Sequence, residues 1–320
     1  AYPQNMKVIK VSNNYYGFVA NVGSNYVTRF DFGSSLNNTP ALVNLTGDVS
    51  LSTLQTGIDI AKEGNKWIIF VTQFSGNTLV RLDLDSITQV TPTFTTFNLT
   101  GLNNPYSIKI IDHYGFIQNN QSAELIRIDF GGNYLNTPTV MSPSVSTLAY
   151  NNLGIDIAFD CTTSKYIGYG SSYGYGTIYK IDFGSSLSNT PTVSNVVTSV
   201  FGTQGLQIIR ELNKWYLFAT NSSNTISAYS LGNSLDNIPS LLYTSTLGGS
   251  LSDPKNIQLM KEGSEWIGLI PNTSAFTVAR INFPQACSNI SANTSSTDQE
   301  PSNLVFSPSS LGYQLVELDE

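Results

Sequence analysis

The charged residues of this 320-residue chain recur at intervals instead of clustering. An Arg or Lys stands two positions before an Asp at Arg29/Asp31, Arg81/Asp83, Arg127/Asp129 and Lys180/Asp182, and the pattern decays at Ala228/Ser230 and Arg280/Asn282. On a strand, residues i and i+2 share a face, so each couple can pair internally or reach a neighbouring unit. The Asp residues also precede turns, where a carboxylate accepts hydrogen bonds from backbone N–H groups. A residue present in nearly every unit serves what the units share, so these couples read as structural. A second polar set does vary: Lys7, Asp59, Lys109, Asp156, Gln207 and Gln258, each between two apolar neighbours. If the fold gathers them around an axis, they line a channel. They could then bind an ion or a small polar ligand, or form a hydrated wall of compensating charges.

Other chemistry is sparse. The single histidine, His113, sits in a predicted turn, which leaves no histidine-rich metal site and only one possible base for a Ser-His-Asp triad. Cys-x-x-Cys, a Gly-rich phosphate loop and a zinc-protease helix are absent from the sequence. Asp83 and Asp85 are two oxygen donors where calcium takes 6–8. No catalytic residue, metal or cofactor is therefore expected. Paired carboxylates for glycoside cleavage carry no sequence signature, so a polysaccharide hydrolase or lyase stays as a lesser alternative.

The elements that must position these residues follow from the repeat. Successive Asp positions, or their replacements, lie 52, 46, 53, 48 and 52 residues apart, a period with few architectural solutions. An aromatic recurs at Tyr16, Trp67, Tyr114, Tyr166, Trp215 and Trp266, read as equivalent buried places on one strand of each unit. Period-two alternation bounded by Gly, Asn, Ser and Pro reads as strand, and each unit resolves into four strands, a to d. In the second unit these are 57–61, 67–73, 78–83 and 93–99, with tight turns at 63–66 and 74–77. The expected fold is all-β: one six-bladed β-propeller of four-stranded antiparallel blades, which hides sheet edges by radial repetition. Its blades are approximately 1–46, 47–100, 101–149, 150–200, 201–249 and 250–320, the last including a C-terminal closing segment. A solenoid of the same units is the structural alternative.

The b–c loops and d–a connections of a propeller share one rim, and their contents differ between units. They present Tyr26, Phe74, Asn119, Gln121, Tyr173, Tyr175, Asn224 and Phe276. Aromatic faces beside amides and hydroxyls suit a sugar, whose C–H patches stack on rings. Loops on a rigid scaffold are also where function concentrates. Packing of Tyr173 and Tyr175 between blades is the competing reading.

Only 12% of residues are charged and the formal net charge is −7, so the positive footprint of a nucleic-acid binder is missing. No apolar run approaches the ~20 residues of a membrane-spanning helix. No signal peptide is visible at Ala1, consistent with prior removal or with an excerpt of a longer chain. Cys161 falls in an a–b hairpin and Cys287 just after a c strand, on one rim, so a disulfide and two free thiols are both open.

The phrase Asp31-Phe32-Gly33-Ser34-Ser35-Leu36-Asn37-Asn38-Thr39-Pro40, echoed at 182–191, resembles the repeat of large surface proteins of Bacteroidetes, including gliding-motility adhesins exported by the type IX system. The ending, from Phe283 to Cys287 and from Leu311 to Glu320, is similar to the close of such blocks. The fifth unit departs from the phrase at Ser230-Leu231-Gly232 and Ile238. The resemblance implies a secreted β-propeller module at the outer-membrane cell surface, part of a larger protein. The resulting expectation is a non-catalytic binding or adhesion module, with a surface polysaccharide or glycan as partner. A structural spacer of a long adhesin is the main alternative.

Overall fold

A computed structural model describes residues 1–46, 51, 54–142, 145–146 and 150–283, and the backbone of 312–317. Among these residues it is all-β apart from one 3-10 turn at Leu247–Gly249. Six antiparallel sheets follow one another along the chain as the blades of a β-propeller. Blade 1 is built from Tyr2–Val11, Asn14–Val22, Val27–Gly33 and Ala41–Leu45, and blade 2 from Gln55–Glu63, Lys66–Gln73, Thr78–Leu84 and Thr93–Phe97. Blade 3 has Pro105–Ile111, Tyr114–Asn119 and Glu124–Asp129, and its d strand is split into Thr139–Val140 and Val145–Ser146. Blade 4 comprises Asn152–Asp160, Lys165–Ser172, Thr177–Gly184 and Thr192–Thr198. Blade 5 comprises Thr203–Glu211, Lys214–Asn221, Thr225–Gly232 and Ser240–Ser245. Blade 6 has Gln258–Glu262, Glu265–Asn272 and Thr277–Phe283, and takes Gly312–Glu317 as its d strand.

Hydrophobic burial holds the wheel together in six clusters, one in each space between blades. The sequence period explains why. In every a strand the two residues flanking the polar middle position pack on the preceding blade, as Ile58 and Ile60 do against Phe18 and Val27. The middle residue then faces the following blade and the axis. The last cluster joins Met6, Val8, Phe30 and Leu36 of blade 1 to Ile267, Leu269 and Val278 of blade 6. This seam closes the ring and excludes the solenoid.

Polar contacts repeat with the same phase. The cation of each c strand reaches into the c–d loop of the next blade. Arg29 donates to the Ile87 and Gln89 carbonyls at 3.1 and 2.9 Å. Arg81 donates to those of Tyr134, Leu135 and Asn136 at 3.2, 2.7 and 3.3 Å. Arg127 reaches Asn189 O at 2.7 Å, and Lys180 reaches Asp236 O at 3.1 Å. Arg280 of blade 6 returns to Asn37 O and Asn38 O of blade 1 at 3.0 and 2.5 Å. The repeated phrase is the receptor for this hand. Gly33 turns it at φ 67°, a left-handed conformation favouring glycine. Leu36 anchors it in the core, and Asn38 Nδ2 ties it back to Phe32 O at 2.9 Å. Asn136, Asn189 and Asn237 repeat that tie at 2.7–2.9 Å. The exception is the fifth blade, where Ala228 replaces the cation. Its counterpart would be the c–d segment of the sixth unit, whose sequence also departs from the repeated phrase.

The aromatic register differs from the expectation in two blades. Trp67, Tyr166, Trp215 and Trp266 pair across the a–b hairpin with Lys62, Phe159, Arg210 and Lys261. The equivalents in blades 1 and 3 are Tyr15, opposite Lys10, and His113 beside Asp112, instead of Tyr16 and Tyr114. A one-residue slip moves a side chain to the other face. Nor is the position uniformly buried: Tyr15 and Trp215 are, while Trp67, Tyr166 and Trp266 are half-buried. Lys10, Lys62 and Arg210 cover their rings at 4.9, 5.2 and 5.4 Å from the centroid, within cation–π range. No helix among the described residues is long and apolar enough to cross a membrane.

Candidate functional site

Two regions lie on or open toward the b–c rim: the axial cavity and a sector of exposed aromatics. The cavity has a volume of about 140 Å³ and is lined by the a strands, including Lys7, Asp59, Lys109, Asp156, Gln207 and Gln258. The blades can converge on it because a bulge interrupts the a–b pairing near the start of the strand, for example between Gln55 and Ile58. Gly57 sits in that bulge, where a Cβ would lie 2.8 Å from backbone atoms of Tyr106 and Ser107 in the next blade. The Gly57 N–H that the bulge frees donates to Thr72 Oγ1 at 2.7 Å. Gly154 with Ser171 and Gly205 with Thr220 repeat the device at 2.9 Å.

The charges inside are arranged in one direction around the ring. Lys7 Nζ meets Asp59 Oδ1 at 2.9 Å, and Asp59 Oδ2 accepts the Ile110 N–H of the next blade at 2.7 Å. Lys109 Nζ meets Asp156 Oδ1 at 2.6 Å, and Asp156 Oδ2 accepts the Ile208 N–H at 2.8 Å. Gln207 continues the sequence with neutral chemistry, accepting the Leu259 N–H at 2.5 Å and donating to Leu259 O at 3.2 Å. Burial pushes the Asp59 carboxyl up, but Lys7, Lys109 and the Ile110 N–H outweigh it and hold the group below the ordinary carboxylate value. Burial likewise pushes Lys109 down, and Asp156 with Asp59 more than restores it, so its titration point lies above the usual lysine value. The wall is thus a set of interblade clasps whose charges compensate. Toward the start of the strands stand Tyr106, whose OH donates to Gln4 Oε1 at 3.2 Å, and Lys255, which donates to Gln204 Oε1 at 2.8 Å and pairs with Asp253 at 2.8 Å. Burial, with Asp253 and Tyr173 nearby, pushes the Tyr106 hydroxyl well up.

The rim residues separate into two groups. Asn119 is fully buried: its amide donates to Gly101 O and Ser122 Oγ and accepts the Asn103 N–H. Asn224, at φ 59°, accepts the Asp253 N–H at 2.8 Å. Phe74 leans edge-on against Tyr106 at 6.4 Å, and Phe276 packs on Tyr2 at 4.6 Å. Tyr26 is half-buried and Gln121 is exposed on its loop, its amide turned to Asn120 Oδ1 at 3.3 Å. Tyr173 and Tyr175 are 41% and 55% exposed, which removes interblade packing as their role. Two aromatics on the adjoining d–a connections, Tyr150 and Phe201, are 52% and 66% exposed. Hydrogen bonds bind these segments together: Ser172 Oγ donates to Tyr150 O at 2.6 Å, Gly202 N to Tyr173 O at 3.2 Å and Val200 N to Gly176 O at 2.9 Å. A Cβ on Gly176 would fall 2.8 Å from the Phe201 ring, so that glycine seats the ring. Gly170 has another purpose, making room inside blade 4 for the Tyr179 ring.

Tyr150 and Phe201 each lie six residues before the polar middle of strand a, an offset that could have found them, since only the fourth and fifth units carry an aromatic there. His113 is a turn residue at φ 64°, with Nε2 3.1 Å from Glu63 Oε2 and its ring on Tyr134. Cys161 is exposed and unpaired after strand a of blade 4, and Cys287 lies outside the described residues.

No protein-family model and no curated protein matches the chain. Among solved structures it is similar to a chain of the nidogen/laminin complex, at 14% identity and a TM-score of 0.56, covering 82% of this chain and 87% of that one. It is also similar to a "putative 6-phosphogluconolactonase" of Bacteroides uniformis, at 12% identity and a TM-score of 0.55, covering 88% and 81%. At these identities the likeness is one of fold. The chain is a six-bladed β-propeller.

Proposed function

We propose that the chain is a non-catalytic binding module that holds a glycan on its b–c rim at blades 4 and 5. The observation that carries this reading is the sector of Tyr150, Tyr173, Tyr175 and Phe201, four large rings left in solvent on rigidly tied loops. Exposed apolar groups gathered in one place mark interaction sites, and the rings, flanked by the half-buried Asn151 and Ser222, offer a sugar both stacking and hydrogen bonding. Non-catalytic action is favoured because the carboxylates nearest the cavity, Asp59 and Asp156, commit both oxygens to lysines and backbone N–H groups. The resemblance of the repeated phrase to gliding-motility adhesins adds the setting: display on a bacterial surface as part of a larger protein.

A glycan array probed with the chain tests this. The expected result is binding to a restricted set of polysaccharides with no turnover of them. Binding to none favours a spacer, and cleavage of a bound polymer favours a hydrolase or lyase.

A further inference from the structure

The cavity wall has an imbalance that its charge compensation conceals. Every oxygen of its two carboxylates is engaged. Asp59 Oδ1 takes Lys7 Nζ and the Ile60 N–H, and Oδ2 takes the Ile110 N–H. Asp156 repeats this with Lys109, the Ile157 N–H and the Ile208 N–H. Its donors are not used up. Each ammonium carries three N–H donors, and Lys7 and Lys109 each meet one carboxylate oxygen while their side chains keep 25% and 19% of their surface open. The carboxylates are turned into the wall and the ammoniums toward the axis.

A third donor stands with them. Ser107 lies two residues before Lys109 on the same strand and lines the same cavity. It is 4% exposed, and its hydroxyl has no hydrogen-bond partner in the protein. A buried hydroxyl without a partner costs roughly 1–3 kcal/mol, and at the equivalent place blades 2, 4 and 5 carry Gly57, Gly154 and Gly205. Nothing in the wheel's construction calls for a hydroxyl here. Lys7 and Lys109 approach Asp59 from two blades, with Lys109 close enough to act on the Asp59 carboxyl, and Ser107 lines the same cavity.

We infer that the axial cavity is a binding site for a small hydroxy-carboxylate, whose carboxyl group is received by the Lys7 and Lys109 ammoniums and the Ser107 hydroxyl. A compact ammonium suits a carboxylate as a point charge, and charge-assisted hydrogen bonds are about twice as strong as neutral ones. A cation finds no vacant carboxylate oxygen. The volume of about 140 Å³ holds about five waters at the roughly 30 Å³ each occupies in the liquid, which is the scale of a three- or four-carbon hydroxy acid and not of a sugar chain. Lys255, Gln204 and Gln4 toward the start of the strands supply polar contacts for hydroxyls. None of the four rings of the aromatic sector lines the cavity, and the assignment does not depend on the glycan reading.

The test is calorimetric titration of the whole chain with D-glycerate and with its neutral counterpart glycerol. Glycerate should bind at least tenfold more tightly than glycerol. Lys7→Gln, which keeps a donor for Asp59, should weaken glycerate about tenfold. Ser107→Ala should weaken it about fivefold without lowering the melting temperature, because that hydroxyl stabilises nothing in the free protein. The double variant Tyr173→Ala/Tyr175→Ala should bind glycerate as the wild type does. Equal affinity for the two compounds, no binding of either, or loss of glycerate binding on the tyrosine change alone would each overturn the assignment.

Discussion

The outer loops and the b–c rim are both made of connections between the same strands, yet their side chains are used differently. On the c–d side each repeated residue does the same thing in blade after blade. The arginine enters the next loop, the asparagine closes that loop and the leucine anchors it. Acids of the a–b turns add a further hold, as Glu63 Oε2 accepts the Tyr134 N–H at 3.1 Å and Asp160 Oδ2 accepts the Leu235 N–H at 2.9 Å. On the b–c rim the recurrent amides, such as Asn119 and Asn224, are likewise committed to backbone groups, while four rings of blades 4 and 5 contact solvent. Recurrence marks construction, and departure from it marks what remains for a ligand.

That contrast can be broken first where construction should be most costly to disturb. Trp215→Ala removes a buried ring under Arg210, and chemical denaturation should show a loss of about 3–5 kcal/mol. A cost below about 1 kcal/mol would contradict its structural role. Arg81→Ala strands three loop carbonyls and the Asp83 carboxylate at the blade 2–3 seam, and should cost about 3 kcal/mol by the same measurement. Asn119→Ala divides the rim itself. Because its amide serves the Asn103 N–H and Gly101 O, stability should fall by about 1–3 kcal/mol, and glycan binding should persist in the folded fraction.

Acid gives a broader test of the clasps. Asp59, Asp160 and Asp236 all have folded-state values held below the ordinary carboxylate range: burial opposes this in Asp59 and Asp160 and is outweighed by Lys7 and by hydrogen bonds from Ser234 and backbone N–H groups, while in Asp236 the Lys180 and Lys165 contacts lead. A depressed carboxylate contributes stability above its unfolded value of about 3.9 and loses it as pH falls through the folded value. Melting temperature should therefore be insensitive to these groups from about pH 8 to 5 and drop below about pH 4. Asp59→Asn should flatten part of that acid limb.

Much of this construction was legible in the sequence. The spacing of Arg29 to Arg280 and the alternation around Lys7, Asp59 and Lys109 supply phase, strand type and the axis-facing set, because burial on two sides of each blade demands a fixed period. The aromatic register was not legible in blades 1 and 3, since Tyr15-Tyr16 and His113-Tyr114 offer two adjacent rings and only hairpin pairing selects between them. The sequence offset marks Phe201 and Tyr150 as unusual but not as exposed, since a ring in a connection can equally be an anchor until burial shows it uncovered. The unpartnered Ser107 hydroxyl could not be read at all, because satisfaction of a polar group is a property of the assembled wall.

The smallest expected change in stability accompanies the largest expected change in binding. Tyr173→Ala/Tyr175→Ala alters two exposed rings, so each substitution should shift stability by no more than about 0.5 kcal/mol. Affinity of this double variant for a polysaccharide recognised by the wild type, measured beside its melting temperature, tests the central claim most directly. The account predicts that binding disappears while the melting temperature stays within a few degrees. Undiminished binding by a fully folded variant would contradict it.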